Sequence, residues 1–503
     1  MLSGALLFRA APAAAAGPLG ENGDPIETSD YGIDLFQGPV LAGTRVTGLG
    51  GAYVAIAEDN DGSLQNPAAP AVRPFYSFTH FDYYPAIGLT LPGTLSSVDF
   101  FNSGAKTRLF NAPENFVFVT PALNLQWGTF GLGFTLELQN YSFEQKGVAV
   151  TDAEQSQLGA TIGTTHLQLA NAFWDGQLSL GLGARLVSLT VDTSSGLSQG
   201  RETLTREGGV FSTGGSGFEL GMVWRPNDRP YRIGVAYRTQ IVTEASFSEN
   251  LLPDAAGDVT LESGADLFLP KRVSVPWDLN AGVAFQLGAR PFNPRFRSLE
   301  SYAERQWLQH RLRELDREAR RDERLLQAVS DAERAQIWWD FERQQEQAER
   351  AWARIEGIAE QELRERWRSA SRFYLLISTS VLVSGAVVES VGVDSFLLRE
   401  VNRSGEGVSL SPRLGLESEV WPDLIKLRAG SYLEPTRFRT SRPRPHGTAG
   451  FDLRVGTWDV FGWWPRDYVW RVSAAIDVAP RYYSWGVSFG GWYPRSRDQS
   501  TSE

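Results

Sequence analysis

The side chains able to do chemistry in this 503-residue chain are few and scattered. The four histidines, His80, His166, His310 and His446, lie far apart on different stretches. Their spacing matches no metal set such as His-Glu-x-x-His, and no Gly-x-Ser-x-Gly elbow marks a nucleophilic serine. No cysteine is present, which removes disulfides, a thiol nucleophile and a lipoprotein anchor. His166 is the only histidine well inside a predicted strand. A dispersed Ser–His pair there needs Ser179 or Ser188 to face it, and a polar histidine lining an interior is the simpler reading. Gly48, Gly50 and Gly51 begin like a phosphate loop. Position 53 is Tyr53 where a third glycine is required, and no strand–helix unit with an acidic partner follows. The expectation is a protein that is not an enzyme and that carries no cofactor and no metal.

What remains is charge placed on one side of alternating segments: Glu137, Arg185, Glu219, Arg225, Arg238, Arg413, Glu417, Lys426, Arg428 and Arg454. Such groups either pair with one another inside a barrel or draw in the carboxylate of a ligand. Arg185, Arg238 and Arg428 are the candidate ligand contacts.

The elements that must hold these charges are strands. In Thr129–Tyr141, Phe130, Leu132, Phe134, Leu136 and Leu138 share one face. Gly131, Gly133, Thr135, Glu137 and Gln139 share the other. The same alternation returns at 178–186, 218–225 and 279–288. Repeated strands of about ten residues, apolar outside and polar inside, are the pattern of a transmembrane β-barrel. Fourteen segments are predicted as strands: 75–88, 115–126, 129–142, 158–172, 178–192, 214–225, 231–247, 276–288, 372–384, 408–420, 424–434, 447–460, 467–478 and 481–492. Their connections alternate between short and long, except at Ala479-Pro480, which is too short for the pattern. The short ones carry Trp127, Trp174, Trp224, Trp421, Trp463 and Trp464, suited to an interfacial girdle. No run of about eighteen apolar residues supplies a transmembrane helix. The net charge of −11 argues against a nucleic-acid partner.

Residues 1–17 read as a secretory signal with an Ala-x-Ala exit near Ala16, although Arg9 interrupts the apolar run. Residues 18–42 are polar and turn-rich and are expected to be mobile, and 494–503 form a tail. Between them, Gly50-Gly51-Ala52-Tyr53, Glu58-Asp59 and Asn66-Pro67-Ala68 precede the first strand. Downstream, Pro412–Pro435 holds an Arg-x-Gly-x-Glu strand turning into Leu-Arg-Ala-Gly-x-Tyr, and Val275-Pro276-Trp277 leads into Asn280–Ala284. These stretches resemble the FadL family of outer-membrane channels for long-chain fatty acids and hydrocarbons. The resemblance implies a fourteen-stranded antiparallel barrel over 73–493. It also implies an N-terminal hatch, 43–72, that plugs the lumen and moves to release ligand.

One insertion departs from that family. Residues 297–370 contain no proline and a single glycine, Gly357, and are dense in Arg and Glu. Leu308, Leu312, Leu315, Ala319, Asp322, Leu326 and Val329 follow four-three spacing. So do Trp338, Phe341, Gln345, Ala348, Trp352, Ile355 and Ala359. Ser330-Asp-Ala-Glu333 is a capping box between them. The flanking strands are neighbours, so the insertion must return to its origin. Two antiparallel helices with both seams facing inward do this, on the periplasmic side. Trp338, Trp339 and Trp352 are the candidate docking residues for a periplasmic protein.

The expected function is an outer-membrane channel for uptake or export of hydrophobic small molecules, with membrane lipid around it. The alternative is a non-transporting barrel that docks an envelope partner through the helical arm.

Overall fold

The computed structural model describes residues 19–73, 80–92, 99–104, 116–143, 158–193, 209–247, 258–260, 266–295, 304–369, 371–439, 441–457 and 469–492. The signal-like start, the C-terminal tail, Trp463 and Trp464 lie outside these residues.

Fourteen strands close into one antiparallel barrel. In chain order they are Phe81–Pro92, Phe116–Trp127, Phe130–Phe143, Leu158–Phe173, Leu178–Thr193, Gly209–Trp224, Tyr231–Arg238, Asp278–Leu287, Leu375–Ser384, Ser409–Trp421, Ile425–Glu434, Arg444–Thr457, Val469–Ala479 and Tyr482–Trp492. Each pairs with the next, and the last pairs with the first from Pro92↔Ser484 to Ala86↔Gly490. Closure leaves no open sheet edge, which a bilayer would not tolerate. Phe130, Leu132, Phe134, Leu180, Leu182 and Leu220 are exposed on the outer wall, while Thr135, Gln139, Ser179 and Glu219 are buried inside. The Ala479-Pro480 connection is a true hairpin, made possible by Arg481 at φ 58°.

The alternation switches phase along the strands. In Leu178–Thr193, Leu180, Leu182 and Leu186 point outward. Val187, Leu189 and Val191 point inward and are buried, while Ser188 is exposed. The lumen is therefore polar near the short turns and apolar near the long loops. The apolar half packs against a small inner sheet, ordered Arg403–Ser404, Ser390–Gly392, Gly32–Asp34, Arg272–Val275 and Ile241–Glu244. Ile33, Val273 and Val391 meet Ile162, Leu189 and Phe211 there.

Two expectations change as a result. The strand expected over 231–247 leaves the barrel after Arg238, and Ile241–Glu244 turns inward to the sheet. Residues 19–42 are not a free tail: Leu19, Ile26, Tyr31, Ile33, Val40 and Leu41 are buried, and Gly32–Asp34 is the sheet's central strand. It pairs in parallel on both sides, with Arg272–Ser274 and with Ser390–Gly392.

The insertion forms two helices, Glu304–Gln327 and Asp331–Ser369. At 1.5 Å per residue they reach about 36 and 58 Å. The N-cap half of the capping box is made, with Ser330 Oγ accepting from the Glu333 N–H at 3.2 Å, while the Glu333 carboxylate reaches one residue further back and accepts from the Val329 N–H at 3.1 Å. Phe341, Gln345, Ala348, Trp352, Ile355 and Ala359 of the second arm are buried or half-buried. The first arm is rotated about half a turn from expectation. It presents His310, Glu314, Arg317, Arg321 and Leu325 to the second arm, and Leu308, Leu312, Leu315 and Leu326 face away. The aromatic groups of the second arm select planar partners. Arg321 lies 4.9 Å over Trp338 and 4.5 Å over Phe341, and His310 stacks on Trp352 at 5.0 Å.

Candidate functional site

The stretch 43–72 fills the lumen at the short-turn end. A short helix, Thr44–Gly48, ends in Gly50 and Gly51, both left-handed at φ 59° and 75°. A Cβ on Gly50 would lie 2.8 Å from the Ser431 backbone nitrogen, so glycine serves both the turn and the approach to the wall. Ala52 and Tyr53 are fully buried, and the Tyr53 hydroxyl donates to the Glu58 carbonyl at 3.2 Å. Asn66 closes the next turn. Its Oδ1 accepts from the Ala68 N–H at 3.0 Å, and its Nδ2 donates to the carbonyls of Val54 (2.9 Å) and Met222 (3.1 Å). The Asn66-Pro67-Ala68 turn rests on inward glycines of the wall. A Cβ on Gly181 would come 2.1 Å from the Pro67 carbonyl oxygen. The inward glycines Gly131, Gly181 and Gly221 are thus the seat of this segment.

Ion pairs lock it down. Arg45 is bidentate on Glu417 at 2.7 and 2.8 Å and reaches Glu58 at 3.1 Å. Arg232 pairs with Glu58 at 2.8 Å. Burial pushes the Glu58 carboxyl up, but the Arg232 and Arg45 guanidiniums outweigh it and hold it down at about 2. Arg428 is buried between Glu417 and Asp452, both at 2.6 Å. It belongs to this network and not to a ligand-facing wall.

Between the plugging segment and the inner sheet lies a cavity of about 180 Å³. Leu35, Phe36, Leu41, Phe101, Ile162, Val187 and Val393 supply its apolar walls, and Glu137, His166, Arg185, Arg238, Asp278 and Arg413 its polar side. Of the three arginines named from sequence, Arg185 and Arg238 therefore meet here. Both ring nitrogens of His166 are engaged, by Glu219 at 3.0 Å and Glu137 at 3.3 Å. Ser179 and Ser188 are not at the ring: Ser179 is paired in register with Ala172, and Ser188 is exposed on the outer wall. Arg238 reaches Glu219 (3.4 Å) and Asp278 (3.3 Å), and Arg185 reaches Asp278 (3.7 Å). Arg413 differs. Its hydrogen bonds among the described residues go to the Gly51 carbonyl (3.3 Å) and Ser411 Oγ (3.5 Å), and among those residues it makes no ion pair with a carboxylate. Strand alternation placed Arg413 inward; its lack of an ion pair there had no sequence signal.

In the arm, Trp338 sits under Arg321 and Trp352 against His310, so both serve the hairpin itself. Trp339 is 73% exposed. The basic loop after Glu434 is also largely consumed. Arg437 pairs with buried Asp34 at 2.9 Å and Arg444 with Glu434 at 2.6 Å.

A closed barrel with an exposed apolar wall and a filled lumen is a plugged transmembrane β-barrel. No protein-family profile matches the chain, and no curated protein matches it. Among solved structures it is similar to the toluene transporter TodX of Pseudomonas putida (10% identity, TM-score 0.46), covering 89% of this chain and 98% of that one. It is similar to the monoaromatic hydrocarbon channel CymD (11%, TM-score 0.42; 91% and 97% covered). It is also similar to a Pseudomonas aeruginosa FadL homologue (12%, TM-score 0.38; 90% and 98% covered).

Proposed function

We propose that this protein is a FadL-like channel of the Gram-negative outer membrane that carries small hydrophobic molecules, by uptake or export, through a hatch-plugged barrel. The observation that carries the reading is the cavity of about 180 Å³ between residues 43–72 and the inner sheet, walled by apolar and polar groups alike and edged by Arg185, Arg238 and Arg413. Lipopolysaccharide hinders such molecules from crossing, so a barrel must capture them. Burial in an apolar wall contributes about 0.8 kcal/mol per methylene. The guanidiniums favour a ligand with an anionic or oxygen-rich end; Arg413, which makes no ion pair among the described residues, is the first contact of that kind. Release requires the hatch to shift, because the ion pairs of Arg45 and Arg232 seal the lumen beneath the cavity.

Mass spectrometry of small molecules co-purifying with the detergent-extracted protein tests this. A bound fatty acid, hydrocarbon or related amphiphile is expected, and its amount should fall in an Arg413→Met variant. Protein recovered repeatedly without any such molecule, and unable to bind one added in detergent, would contradict it.

A further inference from the structure

Leu308, Leu312, Leu315 and Leu326 of the first helical arm are exposed and turned away from the second arm, whereas Leu325 is half-buried on the seam side. With Leu312, Ala319 and Leu326 as heptad positions a, positions d are Leu308, Leu315, Asp322 and Val329. The second arm is met by positions c and f instead, through His310, Arg317, Arg321 and Ala328. The a/d stripe therefore lies on the far side. Leu326 is 88% exposed and Val329 94%, and no residue of Glu304–Gln327 is buried. An apolar stripe left in water, broken only by Asp322, marks a contact surface.

The charges beside the stripe identify what covers it. Between Leu308 and Val329 the flanking e and g positions hold Asp316, Glu318 and Glu323 against Arg311, and Asp322 adds an acid within the stripe. The remaining arginines of this stretch, such as Arg313, Arg320 and Arg324, lie at b, c and f. Asp316 and Asp322 pair with Arg320 and Arg321 of their own helix, but these carboxylates are more than half exposed and such pairs contribute little. A second copy of the chain fits poorly. Antiparallel pairing of two stripes sets Asp316 beside Glu323 and Glu318 beside its own copy, and parallel pairing sets Asp322 against Asp322. An anionic membrane surface repels the same acids.

We propose that this stripe docks a basic amphipathic helix of another envelope protein. That helix carries leucine-type residues at three-four spacing, Lys or Arg at its flanking positions, and one cation in the layer that meets Asp322. The assembly is a three-helix packing in which the existing hairpin presents its outer face. It is independent of the transport reading, because no cavity residue takes part.

The test uses the full-length protein in detergent and two fluorescent helical peptides of about four heptads with identical leucine cores. One has Lys and Arg flanks and the other Glu flanks. The basic peptide is expected to bind and the acidic one not. Leu312→Glu with Leu326→Glu should weaken binding at least about tenfold. The leucines are exposed, so helix content should stay unchanged. Asp322→Arg, which leaves the apolar stripe intact, should weaken the basic peptide and admit the acidic one. Equal binding of both peptides, binding of neither, or binding unaffected by these variants overturns the proposal. Self-association of the parent that the leucine variant abolishes would assign the stripe to a second copy. Leucine-dependent sedimentation with phosphatidylglycerol vesicles would assign it to the membrane. Either of these results also overturns it.

Discussion

The two ends of the lumen are filled by different physics. At the short-turn end, residues 43–72 sit on glycines and are held by guanidinium–carboxylate pairs from Arg45 and Arg232. At the long-loop end, Gly32–Asp34 is the middle of a sheet packed by Ile33, Val391 and Leu189. Buried ion pairs have demanding geometry, and removing one member leaves the other uncompensated. Apolar packing costs less per group and gives way gradually. The lower seal should therefore fail all at once and the upper one by degrees. The cavity between them is bounded by one rigid and one yielding surface.

The largest effect should come from breaking the lower seal. Arg45→Met removes one of the two guanidiniums on each of Glu417 and Glu58, breaking the pairs that join residues 43–72 to the wall, and should cost about 3–5 kcal/mol of the seating of this segment. Proteolysis within 43–72 in an otherwise heat-stable barrel would report it, and unchanged protection would show that the ion pairs are not the lock. Next, Gly181→Val drives a side chain into the Pro67 carbonyl and should displace the same segment at about 1–3 kcal/mol, leaving the strands intact by circular dichroism. Ile33→Val should cost only about 0.5–1.5 kcal/mol, confined to the inner sheet, and proteolysis within 43–72 should stay at the parent level.

Acidity separates the two ends by sign. Glu58, held at about 2 against an ordinary 4.5, stabilises the lower seal above pH 4.5, and that contribution is lost as pH falls towards 2. Asp394, in the loop helix Val393–Leu398 beside the inner sheet, is pushed by burial up to about 6, against the opposing hydrogen bonds of Ser103 and Ser395. The native state holds its proton more tightly than the unfolded chain does. Its stabilising effect is present below pH 3.8 and is lost as pH rises through 6. Hydrogen exchange at pH 5 and 7.5 should show the upper sheet loosening at the higher pH while 43–72 stays protected. Asp394→Asn should abolish the difference.

The wall was legible because period-two alternation leaves a long, repeated record. Phe130–Leu138 alone placed its inner and outer faces. The inner sheet was not. Gly32–Asp34 is three residues long, too short for a period, and its partners lie some two to four hundred positions away. The sequence did hold one trace of it, the switch at Val187-Ser188-Leu189, where apolar residues change face. Arg428 could be placed inward, but its partners Glu417 and Asp452 come from neighbouring strands whose register no single segment reveals. The first arm misled because heptad spacing locates a stripe and not what the stripe faces. Cation–π and stacking contacts from Arg321 and His310 took the inner seam instead.

Conductance across a planar lipid bilayer tests the doubly sealed lumen most directly. The parent protein should show no steady ion current, and Arg45→Met should open brief, repeated conducting events as the lower seal lifts. A parent that conducts steadily, at a level Arg45→Met does not change, would mean that water already runs past both seals and that the lumen is not closed.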